Sequence, residues 1–137
     1  MAGYSGTPLV QKLGVKSGQK FSVVSGPSGY DKLLGPLPEG ANLATRFTNR
    51  ADVVQLFVTD RSRLAMALSQ YRRQLAPDAS VWVSWPKKSS RMPTDITEDV
   101  IREVALPLGF VDVKVCAVTD VWSGLKLVVR RELRPAR

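Results

Sequence analysis

The sequence predicts a three-layer, Rossmann-like α/β domain: a mostly parallel sheet finished by a C-terminal antiparallel edge hairpin. Two observations carry this. Between Val53 and Leu108, two short apolar runs alternate with two amphipathic stretches, the strand–helix–strand–helix order of right-handed βαβ units. After Phe110 the pattern changes to simple alternation in two segments joined by Thr119-Asp120-Val121-Trp122-Ser123-Gly124, a connection short enough for a hairpin. At 137 residues, 44% of them hydrophobic, the chain is the size of one domain with its own core. Residues 1–137 read as a single unit, without an internal repeat, a low-complexity segment or a dividing linker.

The elements follow in order. Thr7-Pro8 suits an N-cap and first helical position for a short helix through Leu13, ending at Gly14. Lys20 to Ser25 is the first strand, followed by the turn Gly26-Pro27-Ser28-Gly29. A brief helix covers Tyr30 to Leu34 before Pro36 and Pro38 interrupt the chain, and Asn42 to Thr45 forms a short second strand. Val53 to Val58 is almost continuously apolar and rich in β-branched residues, so it reads as a strand buried on both faces. Asp60 caps the next helix. There Leu64, Leu68, Tyr71 and Leu75 recur at helical spacing, Arg61, Arg63, Arg72 and Arg73 take the solvent face, and Pro77-Asp78 stops the run.

Val81 to Trp85 is the following strand, broken by Pro86 and the polar loop Lys87 to Arg91. A second long helix is expected to begin near Asp95, with Glu98 completing a capping box, and to bury Ile96, Val100, Ile101, Val104 and Leu108. Pro107 falls in its last turn and should end or distort it. In the hairpin, Val111, Val113, Val115 and Ala117 are expected to face the core, and Leu125, Leu127 and Val129 repeat the alternation.

Composition excludes whole classes of chemistry. The chain has no histidine, which removes Ser-His-Asp and Cys-His catalysis and His-ligated zinc. Its lone cysteine, Cys116, rules out an intrachain disulfide framework and a Cys-rich metal site, and its apolar surroundings suggest an inert buried thiol. The first residues lack the basic and apolar regions of a secretory signal, and no apolar run approaches the roughly 18 residues needed to span a bilayer. A soluble cytoplasmic protein is expected.

From Asp52 to Arg131 the order of strands, helices and final antiparallel pair, with the turn Leu75-Ala76-Pro77-Asp78, resembles the C-terminal half of a Rossmann-type methyltransferase. The chain is also similar to a small bacterial family catalogued as a domain of unknown function. That similarity rests on Gly3 to Leu9, Leu34 to Pro38, Trp82 to Ser90 and Asp112 to Val118. The methyltransferase resemblance implies a methionine-derived cofactor on a Gly-rich turn after the first strand, with an acid at the end of the second strand on the ribose. Here that turn is Ser25-Gly26-Pro27-Ser28-Gly29, and Pro27 removes an N–H from it. Arg46-Phe47 follows the second strand where the acid would stand. The sequence therefore predicts no bound cofactor, no metal and no catalytic residue.

Ligands of open α/β sheets bind outside the carboxyl ends of the strands. The candidate residues there are Ser25 and Gly26, Thr59 and Asp60, and the stretch Trp85, Lys87, Lys88, Ser89, Ser90 and Arg91. The last offers three cations, two hydroxyls and an indole, suited to a phosphate, a carboxylate or a nucleotide. In the opposing reading, Trp85 caps the core, and Asp95, Glu98 and Asp99 neutralise Lys87 and Lys88 and repel an anion from the second long helix. Trp82 reads as a packing residue, whereas Trp122, in the hairpin connection, is a candidate exposed aromatic.

The favoured reading is a non-enzymatic domain that binds an anionic small molecule or a protein partner. One alternative is a small enzyme, either related to methyltransferases or of an unrecognised type in which Asp60 would be the acid/base and Lys87 the electrostatic stabiliser. Another is a salt-sensitive nucleic-acid-binding protein, in keeping with a net charge of +8 and a pI near 10.1. The charge is unevenly spread: residues 1–50 carry +4, residues 51–110 carry +1 and residues 111–137 carry +3. Split between the two ends, the excess argues against one continuous nucleic-acid stripe, and the tail from Arg130 onward is expected to fray at its end. Oligomeric state is left open.

Overall fold

A computed structural model describes residues 7–135. Its strands are β1 (Lys20–Val24), β2 (Asn42–Ala44), β3 (Val53–Phe57), β4 (Ser80–Pro86), β5 (Phe110–Ala117) and β6 (Trp122–Val129). They form one sheet in the order β2-β1-β3-β4-β6-β5. The first four run parallel, and β6 pairs antiparallel with both β4 and β5. The helices are α1 (Leu9–Lys12), α2 (Tyr30–Leu34), α3 (Arg61–Gln74) and α4 (Glu98–Leu108), with single 3₁₀ turns at Lys88–Ser90 and Arg131–Leu133. This is the expected mixed α/β sandwich with an antiparallel edge pair. No helix among the described residues is long and apolar enough to cross a membrane.

Side-chain alternation along the strands divides the core in two. Val54, Leu56, Val81, Val83, Leu125 and Leu127 pack against Leu64 and Leu68 of α3 and Ile101 and Ala105 of α4. The opposite face presents Phe21, Val23, Val53, Phe57 and Trp82 to α1 and α2. The complete burial of Leu64 and Leu68 contributes about 1.5–3 kcal/mol each, and this holds α3 on the sheet more firmly than its propensity does. The second face also carries polar groups. The Tyr30 hydroxyl donates to Gln55 Oε1 at 2.5 Å, Gln55 Nε2 donates to Ser84 Oγ at 3.0 Å, and Trp82 Nε1 donates to the Leu13 carbonyl at 2.8 Å.

Two expectations are corrected. The second long helix starts at Glu98, not near Asp95, and its N-cap is Thr97, whose hydroxyl accepts the Val100 N–H. Asp95 is engaged elsewhere: its Oδ1 accepts the Arg61 N–H at 2.7 Å, and its own N–H reaches the Thr59 carbonyl. It therefore serves the start of α3, and Ile96 is buried in the non-helical segment ahead of α4. The second correction concerns β5. Val113 and Val115 are 54% and 52% exposed, and the strand's buried side chain is Phe110. As the outermost strand, with an irregular register between Asp112 and Lys114, β5 has a face that the sheet does not cover.

The connection from β2 to β3 steps over β1 in only the residues 45–52, with no helix, where parallel strands usually need a dozen or more residues. Phe47 fastens it by stacking on Tyr71 of α3, ring centroids 4.5 Å apart and planes 14° from parallel. Burial pushes the Tyr71 hydroxyl up to about 12. The unfolded chain would release that proton near pH ~10, so Tyr71 leaves stability untouched at lower pH. Its contribution is lost as pH rises from about 10 to 12. Urea midpoints measured across that interval should fall more steeply for the wild type than for Tyr71→Phe, and parallel slopes would refute the assignment.

Candidate functional site

From β1 the chain moves outward to β2, then returns across β1 to β3. This reversal of direction opens a crevice at the carboxyl ends of the strands, where α/β sheets bind ligands. Beside that crevice, on the β2 side of β1, lies a cleft of about 360 Å³ between the turn after β1, helix α2 and the end of β2. Val23, Pro27, Leu34 and Leu43 supply apolar walls, and Ser25, Asp31 and Thr45 supply polar groups.

Ser25 adopts a left-handed backbone, φ 58°, which costs a non-glycine residue about 1–3 kcal/mol. Its hydroxyl accepts a 2.8 Å hydrogen bond from Arg63 Nη2 of α3, which fixes both groups at the mouth of the crevice. Gly26 is required by close approach, since a Cβ there would lie 2.8 Å from Val23 Cγ1. The space beside Gly29 is open, with no atom within 4 Å of the Cβ position.

The other predicted residues lie along the same sheet edge in different settings. Thr59 and Asp60 are structural. The Thr59 carbonyl accepts from Thr94 Oγ1 at 2.6 Å and from the Asp95 N–H. Asp60 caps α3, its Oδ2 accepting the Arg63 N–H at 3.0 Å and the Ser62 hydroxyl at 2.9 Å. Those two hydrogen bonds, the backbone one first, hold its carboxyl below the usual aspartate range. A carboxylate so engaged is poorly suited to carrying a proton near neutral pH, which counts against the acid/base role considered for Asp60.

Trp85 is 8% exposed and belongs to the core shared with α3 and α4, so it caps the core and offers no stacking face. Trp82 is fully buried, as expected. Trp122 is half-buried, edge-on to Phe57 at 5.0 Å. In the loop after β4, Lys87 N–H donates to the Val121 carbonyl at 2.7 Å, and the Ser90 hydroxyl turns back onto the Lys87 carbonyl. Ser89 and Lys88 are exposed.

The expected neutralisation of this loop does not occur. Glu98 and Asp99 pair with Arg102, at 2.6 and 3.2 Å, and Asp95 holds the Arg61 N–H. Lys87, Lys88 and Arg91 have no ion pair within 4.0 Å among the described residues. The structure thus gathers Ser25 and Gly26 into the cleft and leaves the basic loop outside its walls. Asp31, Leu43 and Thr45 of the cleft escaped the sequence reading. Asp31 was within reach, because it stands in the first turn of the helix that follows the predicted glycine turn.

The crystal structure of a SAM dependent methyltransferase from Aquifex aeolicus matches at TM-score 0.64 and 14% identity, over 89% of this chain and 88% of that one. A ribosomal protein L11 methylase from Lactobacillus delbrueckii subsp. bulgaricus matches at 0.61 and 13%, over 90% and 75%. Magnesium protoporphyrin IX methyltransferase from Synechocystis PCC 6803, solved with bound SAM, matches at 0.56 and 10%, over 89% and 74%. These likenesses define the fold: a Rossmann-like sheet of the kind found in SAM-dependent methyltransferases. No family model and no curated protein matches the sequence.

Proposed function

We propose that this chain is a methyltransferase-related cytoplasmic protein that binds an adenosyl compound, S-adenosylmethionine or its demethylated product, in the cleft between β1, α2 and β2. The observation that carries this reading is the position of the cleft, outside the carboxyl ends of β1 and β2 and beside the β1/β3 reversal of strand order, in a sheet of methyltransferase type. The residues present fit the group. Val23, Leu34 and Leu43 suit a purine, Asp31 and the Thr45 hydroxyl suit a ribose diol, and Gly29 leaves room for backbone approach. Arg63, already held on Ser25, suits a carboxylate.

Asp31 then does the work expected of an acid after β2, and Pro27 forms part of the apolar wall. Such a cofactor supplies an electrophilic methyl group when bound. Val23, Leu34, Leu43, Asp31 and Thr45 would hold the nucleoside half, and Arg63 would pair with the carboxylate of the amino-acid half.

Isothermal titration with S-adenosylhomocysteine and S-adenosylmethionine should give saturable binding. Leu43→Trp, which fills the cleft, and Asp31→Ala should each weaken it by about tenfold or more. Absence of binding by the folded wild type at millimolar ligand would overturn the reading.

A second reading, binding of an anionic small molecule through the Lys87 to Arg91 loop, is favoured by the lack of ion pairs on its three cations. Adding ATP and inorganic phosphate to the same titrations tests it. Heat lost on Lys87→Ala/Lys88→Ala but kept on Leu43→Trp would assign the site to the loop.

A further inference from the structure

Four lysines, two from each end of the chain and distant in sequence, come together at one face of the sheet. Lys114 of β5 and Lys126 of β6 are direct cross-strand partners in an antiparallel pair, so their side chains leave the same face side by side. Leu125 and Leu127 point to the α3 and α4 side, which puts Lys126 on the other, and its Nζ lies 3.8 Å from the Cβ position of Gly14, just after α1. Lys12 and Lys16 flank Gly14. Both lysines of the hairpin and Lys16 lack an ion pair within 4.0 Å among the described residues. Charge from Lys114 and Lys16, after burial, lowers the Lys126 ammonium's affinity for its proton, and Lys12 and Lys114 both act on the Cys116 thiol.

Like charges placed directly opposite destabilise a sheet, and folding alone does not call for them. A polyanion laid across the hairpin would remove that cost. We propose that the hairpin face bearing Lys114 and Lys126, bordered by Lys12 and Lys16, binds the phosphodiester backbone of a nucleic acid. This surface is separate from the adenosyl cleft, so its fate is independent of that reading. Although the positive charge is split between the two ends of the sequence, the fold brings Lys12 and Lys16 beside Lys114 and Lys126.

Fluorescence anisotropy with a fluorescein-labelled single-stranded RNA of about 20 nucleotides, and with a DNA duplex of similar length, tests the proposal. Wild-type protein should bind at about 50 mM salt and weaken steeply toward about 200 mM. Lys114→Gln/Lys126→Gln should bind about tenfold less tightly, with a salt slope for the single strand reduced by about 1.4, that is about 0.7 for each lost phosphate contact. The Tm of the double variant should stay level or rise, since repulsion is relieved. Lys16→Gln should weaken binding less, and Arg50→Gln/Arg73→Gln, placed elsewhere, should leave it unchanged. The relative affinities for RNA and DNA distinguish the two sources of the backbone. Any of three results overturns the proposal: no binding at low salt, equal loss in the Arg50/Arg73 control, or lysine-dependent binding to phosphatidylserine vesicles with none to either nucleic acid.

Discussion

Replacing Trp82 by alanine should destabilise the domain by about 3–5 kcal/mol, the usual cost of deleting a buried aromatic side chain. Trp82 is the largest fully buried side chain and sits mid-strand in β4, against α1 and the other residues of its core. Its indole also donates to the Leu13 carbonyl, bridging 69 positions of sequence and tying the N-terminal helix to the sheet. A domain of this size has only about 5–15 kcal/mol in total, so urea unfolding followed by circular dichroism should show a large fall in midpoint or no cooperative transition. Trp82→Phe keeps most of the packing and loses the donor, and should cost about 1–3 kcal/mol. A Trp82→Ala midpoint within error of wild type would contradict this account.

Gln55→Leu should cost about 2–6 kcal/mol, because it takes the amide from between two buried hydroxyls at about 1–3 kcal/mol each. Gln55 is completely buried in a strand whose other residues are apolar, accepting from Tyr30 and donating to Ser84. Replacing all three members, as Tyr30→Phe/Gln55→Leu/Ser84→Ala, should recover most of the loss by removing the polar groups together. Urea denaturation of the single and triple variants measures the difference. A triple variant no more stable than Gln55→Leu would show that the loss comes from packing and not from unpaired hydroxyls. Because Tyr30 also lines the cleft, adenosyl binding by the triple variant reports how far this buried chain sets the shape of the site.

The strongly periodic segments were legible in the sequence. β3, α3 and β4 follow from apolar patterning and from Asp60 as a cap, and the short β1, α2 and β2 follow from the punctuation of Gly26, Gly29, Pro36 and Pro38. Where the sequence misled, a partner distant along the chain had taken over a local signal. Asp95 has the spacing of a capping box with Glu98, yet its carboxylate is held by the start of α3, 34 positions away. Val113 and Val115 alternate like core residues but fall on an outermost strand, and alternation alone does not say whether a layer covers it. The resemblance in Gly3 to Gly6 and the end of the basic tail at Ala136 and Arg137 lie outside the described residues. Ser25 and Gly26 were found because they end a recognisable strand. Asp31, just after the predicted glycine turn, was open to the same reasoning, whereas Thr45 enters the site through the path of the fold, and the approach of Lys16 to Lys126 depends on β6 lying inside β5.

That placement of β6 has a consequence for how the protein is made. Among the described residues, the strand latest in sequence is not at the margin: β6 sits between β4 and β5, and β5 has no other neighbour there. While residues 122–129 are still being synthesised, β4 presents an unpaired edge beside the apolar Val81 and Val83, and β5 has nothing to join. Growth from the N-terminus, at about 5–20 residues per second, therefore cannot close the sheet strand by strand. Completion waits for residues 122–129, which pair with both β4 and β5, and until then the β4 edge is open to intermolecular strand pairing.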